Sequence, residues 1–306
     1  MRSEPAGTLA PRVVVVHRRT ELDDLIDRHA TRGQMEFFLR ERGRDLAEVQ
    51  RRHDALMQAR RRVSAAVPVD WRHGEVERAD LDRFRFDAGD IVVALGQDGL
   101  VANVAKYLDG QPVLGVDADP GRGVGVLVRH LAGQVAAALA DLAAGRAVVQ
   151  RRTMVSALLD DGQRLTALNE IYLGDAGHQS ARYDLALPDG RLESQSSSGV
   201  IVGTGTGATG WLASLRHDRG HQGDPPTPEQ HRLAWFVREA WPSPTSGTRC
   251  TAGHLMADEQ LEVIVRSDRL VVFGDGLERD HLNATWGQQV TLRRAEQVLH
   301  LVVPSA

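Results

Sequence analysis

Residues 13–16, just after Pro11, are an unbroken run of valines, as in a strand buried on both faces. A long polar stretch follows. It is clearest from Asp45, where Glu48 stands three residues on at capping-box spacing. Leu46, Val49, His53, Leu56 and Met57 then repeat at helical intervals and predict a helix over 45–62. Arg60, Arg61 and Arg62 at its end suit the negative pole of a helix dipole, and read either as a solvated helix end or as an anion site. Short apolar runs predict strands at 66–69, 90–95 and 112–116. Helices are expected over 101–108 and 130–144, the second stopped by Gly145. Strands alternating with helices imply a layered, parallel α/β half.

Beyond about Gln150 the texture changes. Alternating runs at 153–159, 167–173, 182–187, 199–202, 260–265 and 270–273 sit among the turn dipeptides Asp161-Gly162, Asp189-Gly190 and Ser267-Asp268. That spacing predicts an antiparallel, β-rich unit. Residues 216–228, rich in His, Gly, Asp and Pro, read as an exposed loop, and a helix is expected from Thr227 or Pro228 to about Glu239. With 306 residues in all, the chain divides into two domains, 1–150 and 151–306.

Composition narrows the classes of function. A chain 42% hydrophobic and 25% charged is ordinary for a globular protein, and no apolar run approaches the length of a membrane span. A net charge of −4 argues against a partner that is nucleic acid or an anionic membrane. The single cysteine, Cys250, has no internal partner and is expected to be inert; with an N-terminus lacking a secretory signal it points to a cytoplasmic setting.

Three constellations carry candidate chemistry. In the first, the apolar run 91–95 leads into Gly96-Gln97-Asp98-Gly99 and then a helical pattern. A carboxylate there lies at the C-terminal edge of a strand, where open α/β sheets bind ligands, and amides at a helix start suit phosphate. The Asp-Gly pair is equally at home in a hairpin turn. The second is Ser196-Ser197-Ser198-Gly199, a strand, then Gly203-Thr204-Gly205-Thr206-Gly207-Ala208-Thr209-Gly210-Trp211. Its small residues let a ligand approach backbone donors, and Trp211 offers an aromatic wall; a tight turn or a linker is the plainer alternative. The third is Asn169-Glu170, able to read a base and a ribose but also an ordinary strand end.

Taken in this order, GxDG, ALNE and GxGTGTGxTGW resemble the NAD kinases, a family whose fold extends to diacylglycerol-type lipid kinases. The segment Gly115-Val116-Asp117-Ala118-Asp119-Pro120, the Ser197-Ser198-Gly199 lead-in and the long polar insertion before Asp98 make the chain look like the mitochondrial branch. The resemblance implies a Rossmann-like parallel domain followed by a β-rich antiparallel one, with a C-terminal segment packing back on the first. It also implies transfer of the ATP γ-phosphoryl group to the 2′-hydroxyl of the adenosine ribose of NAD, giving NADP. Asp98 would contact that ribose and accept its proton, while Gly96 and Gly99 would line the triphosphate. Asn169 would read the adenine, with Glu170 on the ribose side. Thr206, Gly207, Ala208, Thr209, Gly210 and Trp211 would hold the dinucleotide. Mg²⁺ would arrive bound to ATP, without a metal cage in the protein, and the assembly would be a homodimer.

The chain departs from the family where Gln97 replaces a glycine, Leu100 a threonine, and Thr209-Gly210 a lysine followed by alanine. If that glycine position needs a positive φ, Gln97 would displace the loop at a cost of ~1–2 kcal/mol; its amide can instead donate to a phosphate. Two other functions share these features: a kinase acting on a different nucleoside, sugar or lipid acceptor, and a non-catalytic NAD(P)-binding sensor. Outside the three motifs, His217 and His221 have the i, i+4 spacing of metal ligands but sit among glycines and prolines that disfavour a helix. Asp160-Asp161 before Gly162 reads as a solvated turn. Gly274-Asp275-Gly276 reads as a structural turn before a ligand contact.

Overall fold

The computed structural model describes residues 10–119, 125–220 and 224–305. It divides into two compact units, Met1–Val149 with His300–Ala306, and Gln150–Leu299.

The first unit is built on a parallel sheet in the order Arg72–Glu77, Arg12–His17, Asp90–Gly96, Pro112–Asp117, then residues 300–302 of the last strand. Val13 to Val16 are fully buried, as the unbroken run requires. One face packs Val13, Val15, Val93 and Leu114 against Ala59 and Val63 of the helix Leu46–Ala66 and against Val135 and Leu139 of the helix Val135–Ala143. The polar stretch before Asp45 holds two further helices, Glu21–Arg28 and Arg32–Arg40. Leu22, Leu25, Met35 and Leu39 join Leu46 and Val49 in a separate apolar cluster.

Several sequence expectations are corrected here. The strand expected at 66–69 is a helix end and turn with Val69 in solvent, because Pro68 biases Val67 away from helical backbone. The strand lies instead at Arg72–Glu77, where only Val76 is buried. An edge strand, paired on one side, needs little apolar surface and leaves almost no apolar pattern. Asp45 caps its helix by accepting from the Ala47 amide at 2.8 Å, while Glu48 pairs with Arg52 rather than closing a capping box. Arg60 pairs with Glu75 of the edge strand. The helix expected at 101–108 spans Asp98–Ala105, and that expected at 130–144 begins only at Val135, after a short strand His130–Leu131 and a turn. Gly145 stops it at φ +66°.

The second unit is two antiparallel sheets around one core. One runs Leu192–Ser197, Ala181–Ala186, Gln260–Val265 and the strand Gln289–Val303, which also pairs with Val148–Leu159; Arg164–Ala167 pairs with the last of these. The other runs Ala252–Leu255, Leu233–Val237, Val200–Gly203, Glu170–Gly174, Arg269–Gly274, Leu282–Thr285. Val155, Tyr183 and Leu261 from the first meet Ile171, Val202, Trp235 and Val272 from the second.

Two expectations fail in this unit too. The helix expected over 227–239 is the strand Leu233–Val237, every residue of which is buried. Leu233, Trp235 and Val237 face the main core, while Ala234 and Phe236 meet Leu212 and Leu215 of the helix Trp211–Asp218. With both faces covered, the apolar run carries no period of two. That same helix takes in Arg216 to Asp218, which the sequence assigned to a loop. The run 167–173 is split at Leu168-Asn169, where the chain leaves one sheet for the other.

Candidate functional site

In the first unit, Asp98 opens the helix Asp98–Ala105 at the C-terminal end of the strand Asp90–Gly96. A carboxylate in a helix's first turn is stabilised by the dipole. Its oxygens are held by a second segment: Oδ2 accepts from the Val126 amide at 2.7 Å, and Oδ1 from Leu127 and Val128, both at 2.9 Å. That segment reaches the carboxylate because Gly125 has no Cβ; one there would stand 2.5 Å from Oδ1. Gly115 serves similarly, since a Cβ would meet the Leu127 carbonyl at 2.2 Å. A carboxylate offers about four acceptor positions, so three amides leave one, on Oδ2, for another donor.

Gln97 precedes the helix at φ −115°, ψ 166°, ordinary extended backbone. The strain anticipated for a non-glycine here therefore does not arise. Its carboxamide oxygen accepts from Arg18 at 3.2 Å, which leaves the amide hydrogens facing solvent. Gly99 is exposed and, among the described residues, nothing lies within 4 Å of where its Cβ would be, so the space over it is open. Over Gly96 lies the buried side chain of Leu100, 3.4 Å from a Cβ there. Asp117 accepts from the Asp119 amide at 2.9 Å, and Pro120 lies outside the described residues.

In the second unit two segments converge on Asn169-Glu170. The Asn169 carbonyl accepts from the Thr204 amide at 2.8 Å. The buried Thr204 hydroxyl donates to the Leu168 carbonyl at 2.6 Å and accepts from the amides of Thr206 at 3.1 Å and Gly207 at 3.3 Å. Gly207 is needed for the crossing, because a Cβ would sit 2.4 Å from the Asn169 carbonyl oxygen. From the other side Asp275 accepts from the amides of Leu168 at 3.0 Å and Asn169 at 2.6 Å.

This lacing occupies backbone groups and leaves side chains free. Among the described residues the Asn169 carboxamide and Glu170 carboxyl have no hydrogen-bond partner, and the buried Thr206 hydroxyl has none either. Burial pushes the half-buried Glu170 carboxyl up to about 7, with the Asp275 charge adding to the effect. Unspent polar groups in a partly buried cluster with a perturbed carboxyl mark a ligand site. Ala208 is half-buried, Thr209 and Gly210 are exposed, and Trp211 begins the following helix. Its ring stacks on Tyr172 at 5.8 Å between centroids, with the Arg238 guanidinium 5.4 Å from it.

Thus Asn169, Glu170, Thr206 and Gly207 are brought together, while Asp98 with Gly96, Gln97 and Gly99 forms a cluster of its own in the first unit. Sequence reasoning missed Thr204, Asp275 as the clamp on Asn169, and the amides of 126–128. The sequence signalled two of them, through the Gly-Asp-Gly spelling around Asp275 and the place of Thr204 in the Gly-Thr loop. Ser197-Ser198-Gly199 is a structural turn: Gly199 has φ +107°, and Ser197 Oγ accepts from its amide at 2.9 Å. Cys250 is buried, which pushes its thiol up, as an inert thiol should be. His221 lies outside the described residues, and among those described no group of His, Cys, Asp or Glu could hold a metal ion.

The architecture is that of the NAD and NADH kinases. Over 98% of this chain and 85% of theirs, it superposes on the yeast NADH kinase complexed with NADH at a TM-score of 0.60 and 13% identity. An Archaeoglobus fulgidus NAD kinase in complex with ATP gives 0.57 at 17% identity, over 95% and 93% of the two chains. In sequence the chain is related to curated NAD kinases. It is 29% identical to that of Chlorobaculum tepidum over 140 residues, 45% of this chain and 47% of the relative. Gemmatimonas aurantiaca NAD kinase is 29% identical over 228 residues, 70% of this chain and 72% of the relative. The match to the Nitratidesulfovibrio vulgaris enzyme is 34% over 155 residues, 47% and 49%. Against the first of these relatives the chain thus spans about half the length. No family model matches.

Proposed function

We propose that the protein is an ATP-dependent NAD kinase, a phosphotransferase that moves the γ-phosphoryl group of MgATP to the 2′-hydroxyl of the adenosine ribose of NAD. The observation that carries this reading is the Asn169–Glu170–Thr206 cluster. Its backbone is fully laced while its amide, carboxyl and hydroxyl remain unspent. An amide suits an adenine edge and a carboxyl a ribose hydroxyl, and the residues after Thr206 supply small side chains along which a pyrophosphate can lie.

Asp98 would act on the nucleophile. A ribose hydroxyl is weakly nucleophilic, and the remaining acceptor position on Oδ2 can orient it and take its proton as the O–P bond forms. ADP then departs with the electrons of the broken bond, and Mg²⁺ carried in by the nucleotide offsets the phosphate charge. The open space over Gly99, the first amides of the helix and the outward amide of Gln97 suit the triphosphate. The mitochondrial-type character rests on the 115–120 and 197–199 segments, and the homodimer on the family resemblance. A cytoplasmic setting rests on the single unpaired cysteine.

The test is NADP formation from NAD, ATP and Mg²⁺ by the purified protein, read with an NADP-specific dehydrogenase. Turnover on NAD supports the reading. Turnover only on another nucleoside, a sugar or a lipid acceptor replaces it with a related kinase, and NAD binding without turnover replaces it with a sensor.

A further inference from the structure

The Gly274-Asp275-Gly276 turn does more than reverse the chain after the strand Arg269–Gly274. Asp275 has φ +52°, in the left-handed region that few non-glycine residues occupy. Gly276 follows at φ +68°. A turn that needed only this backbone would be served best by glycine. Asp275 instead presents its carboxylate to the amides of Leu168 at 3.0 Å and Asn169 at 2.6 Å, while its own amide donates to the Glu170 carbonyl at 3.1 Å. One residue thus binds the backbone of three consecutive residues, at the point where the chain passes between sheets and no ladder holds Leu168 or Asn169.

We propose that Asp275 is a positioning residue for dinucleotide binding: its carboxylate fixes the Leu168-Asn169 backbone, and so aims the Asn169 and Glu170 side chains at the adenosine end of NAD. This rests on the functional reading above. Strain kept at a defined place is what a functional site retains when the strained residue has a second task. The acceptor must be a carboxylate, because two amides converge on it and an asparagine there would turn its NH₂ toward one of them. The charge beside Glu170 also favours the protonated carboxyl, which can donate to a ribose or base acceptor. Thr204 fixes the same backbone from the opposite side through the Leu168 and Asn169 carbonyls, so loss of Asp275 frees one side only.

The experiment compares Asp275→Gly and Asp275→Asn with the unchanged protein. It measures KM for NAD and for ATP, NAD binding by calorimetry, and thermal melting. Glycine suits φ +52° and removes the clamping carboxylate; asparagine tolerates the backbone and keeps one acceptor. The expected result is a rise in KM and Kd for NAD of about ten- to a hundredfold in Asp275→Gly, a smaller rise in Asp275→Asn, and a KM for ATP within about twofold of the unchanged protein. An Asp275→Gly variant with unaltered NAD affinity would overturn the proposal, leaving Asp275 a turn residue. So would equal losses for NAD and ATP accompanied by early melting. Failure of the kinase reading is seen separately, in the unchanged protein. If that protein binds NAD without transfer, the binding arm still decides the role of Asp275, and if it does not bind NAD both proposals fall.

Discussion

Replacing Glu170 by glutamine should make the protein more stable, and only above acid pH. Burial, reinforced by the Asp275 charge, raises this carboxyl from 4.5 to about 7. The folded chain therefore holds the proton more tightly than the unfolded chain does. Between about pH 4.5 and 7 the folded state binds more protons, so stability falls as pH rises through that window. Below it the carboxyl is neutral in both states and costs nothing; above it the ionised, partly buried group costs the full difference. That displacement corresponds to about 3 kcal/mol, an upper bound because solvent reaches part of the side chain. Glutamine keeps the shape and does not titrate. Thermal melts of both proteins at pH 5 and pH 8 read the effect, since all other titrating groups are shared and cancel. At about 2–4 °C per kcal/mol, Glu170→Gln should melt several degrees higher than the unchanged protein at pH 8 and nearly together with it at pH 5. The same difference at both pH values would show that the carboxyl does not change ionisation across that range and that burial does not raise it.

Asp98→Asn should lower kcat by about 10²- to 10⁴-fold if the carboxylate is the base. Because Asp98 also accepts three amides, the variant should lose about 1–3 kcal/mol of stability as well, so turnover must be compared well below its melting temperature. Near-normal turnover would remove Asp98 from the mechanism. Gln97→Gly should leave kcat within about twofold, since the backbone at φ −115° needs no glycine; a large gain would show that the natural loop is impaired. Gly207→Ala should destabilise by about 1–3 kcal/mol and weaken NAD binding, because its methyl meets the Asn169 carbonyl at 2.4 Å. Calorimetry with an undisturbed NAD affinity would count against the loop crossing.

The sequence was most legible where burial imposes a simple pattern. Valines 13–16 and the run 91–95 became inner strands of a parallel sheet, and Gln260–Val265 matches its alternating segment residue for residue. Legibility failed where neighbours, and not local pattern, decide. Arg72–Glu77 is a strand because Arg12–His17 pairs with it, and its exposed side chains say nothing of that. Leu233–Val237 lies between two strands and under a helix, so its apolar run has no period to read. The same division holds at the candidate site. Asn169, Glu170 and Thr206 stand out by composition and order in the chain. What holds them is largely backbone, through amides and carbonyls of Leu168, Asn169 and Gly207, and every residue carries those groups. Asp275 reaches Asn169 across 106 residues, a pairing that spacing along one chain does not disclose.

Transfer of a phosphoryl group from ATP to the 2′-hydroxyl of NAD is best followed through the phosphorus itself. The protein is incubated with γ-³²P-labelled ATP, Mg²⁺ and NAD, and the products are separated and counted. Label is expected in NADP, removable by a phosphatase specific for the 2′ position, and lost when Asp98 is replaced by asparagine. Label confined to ATP and inorganic phosphate, or carried by an acceptor other than NAD, would contradict that transfer.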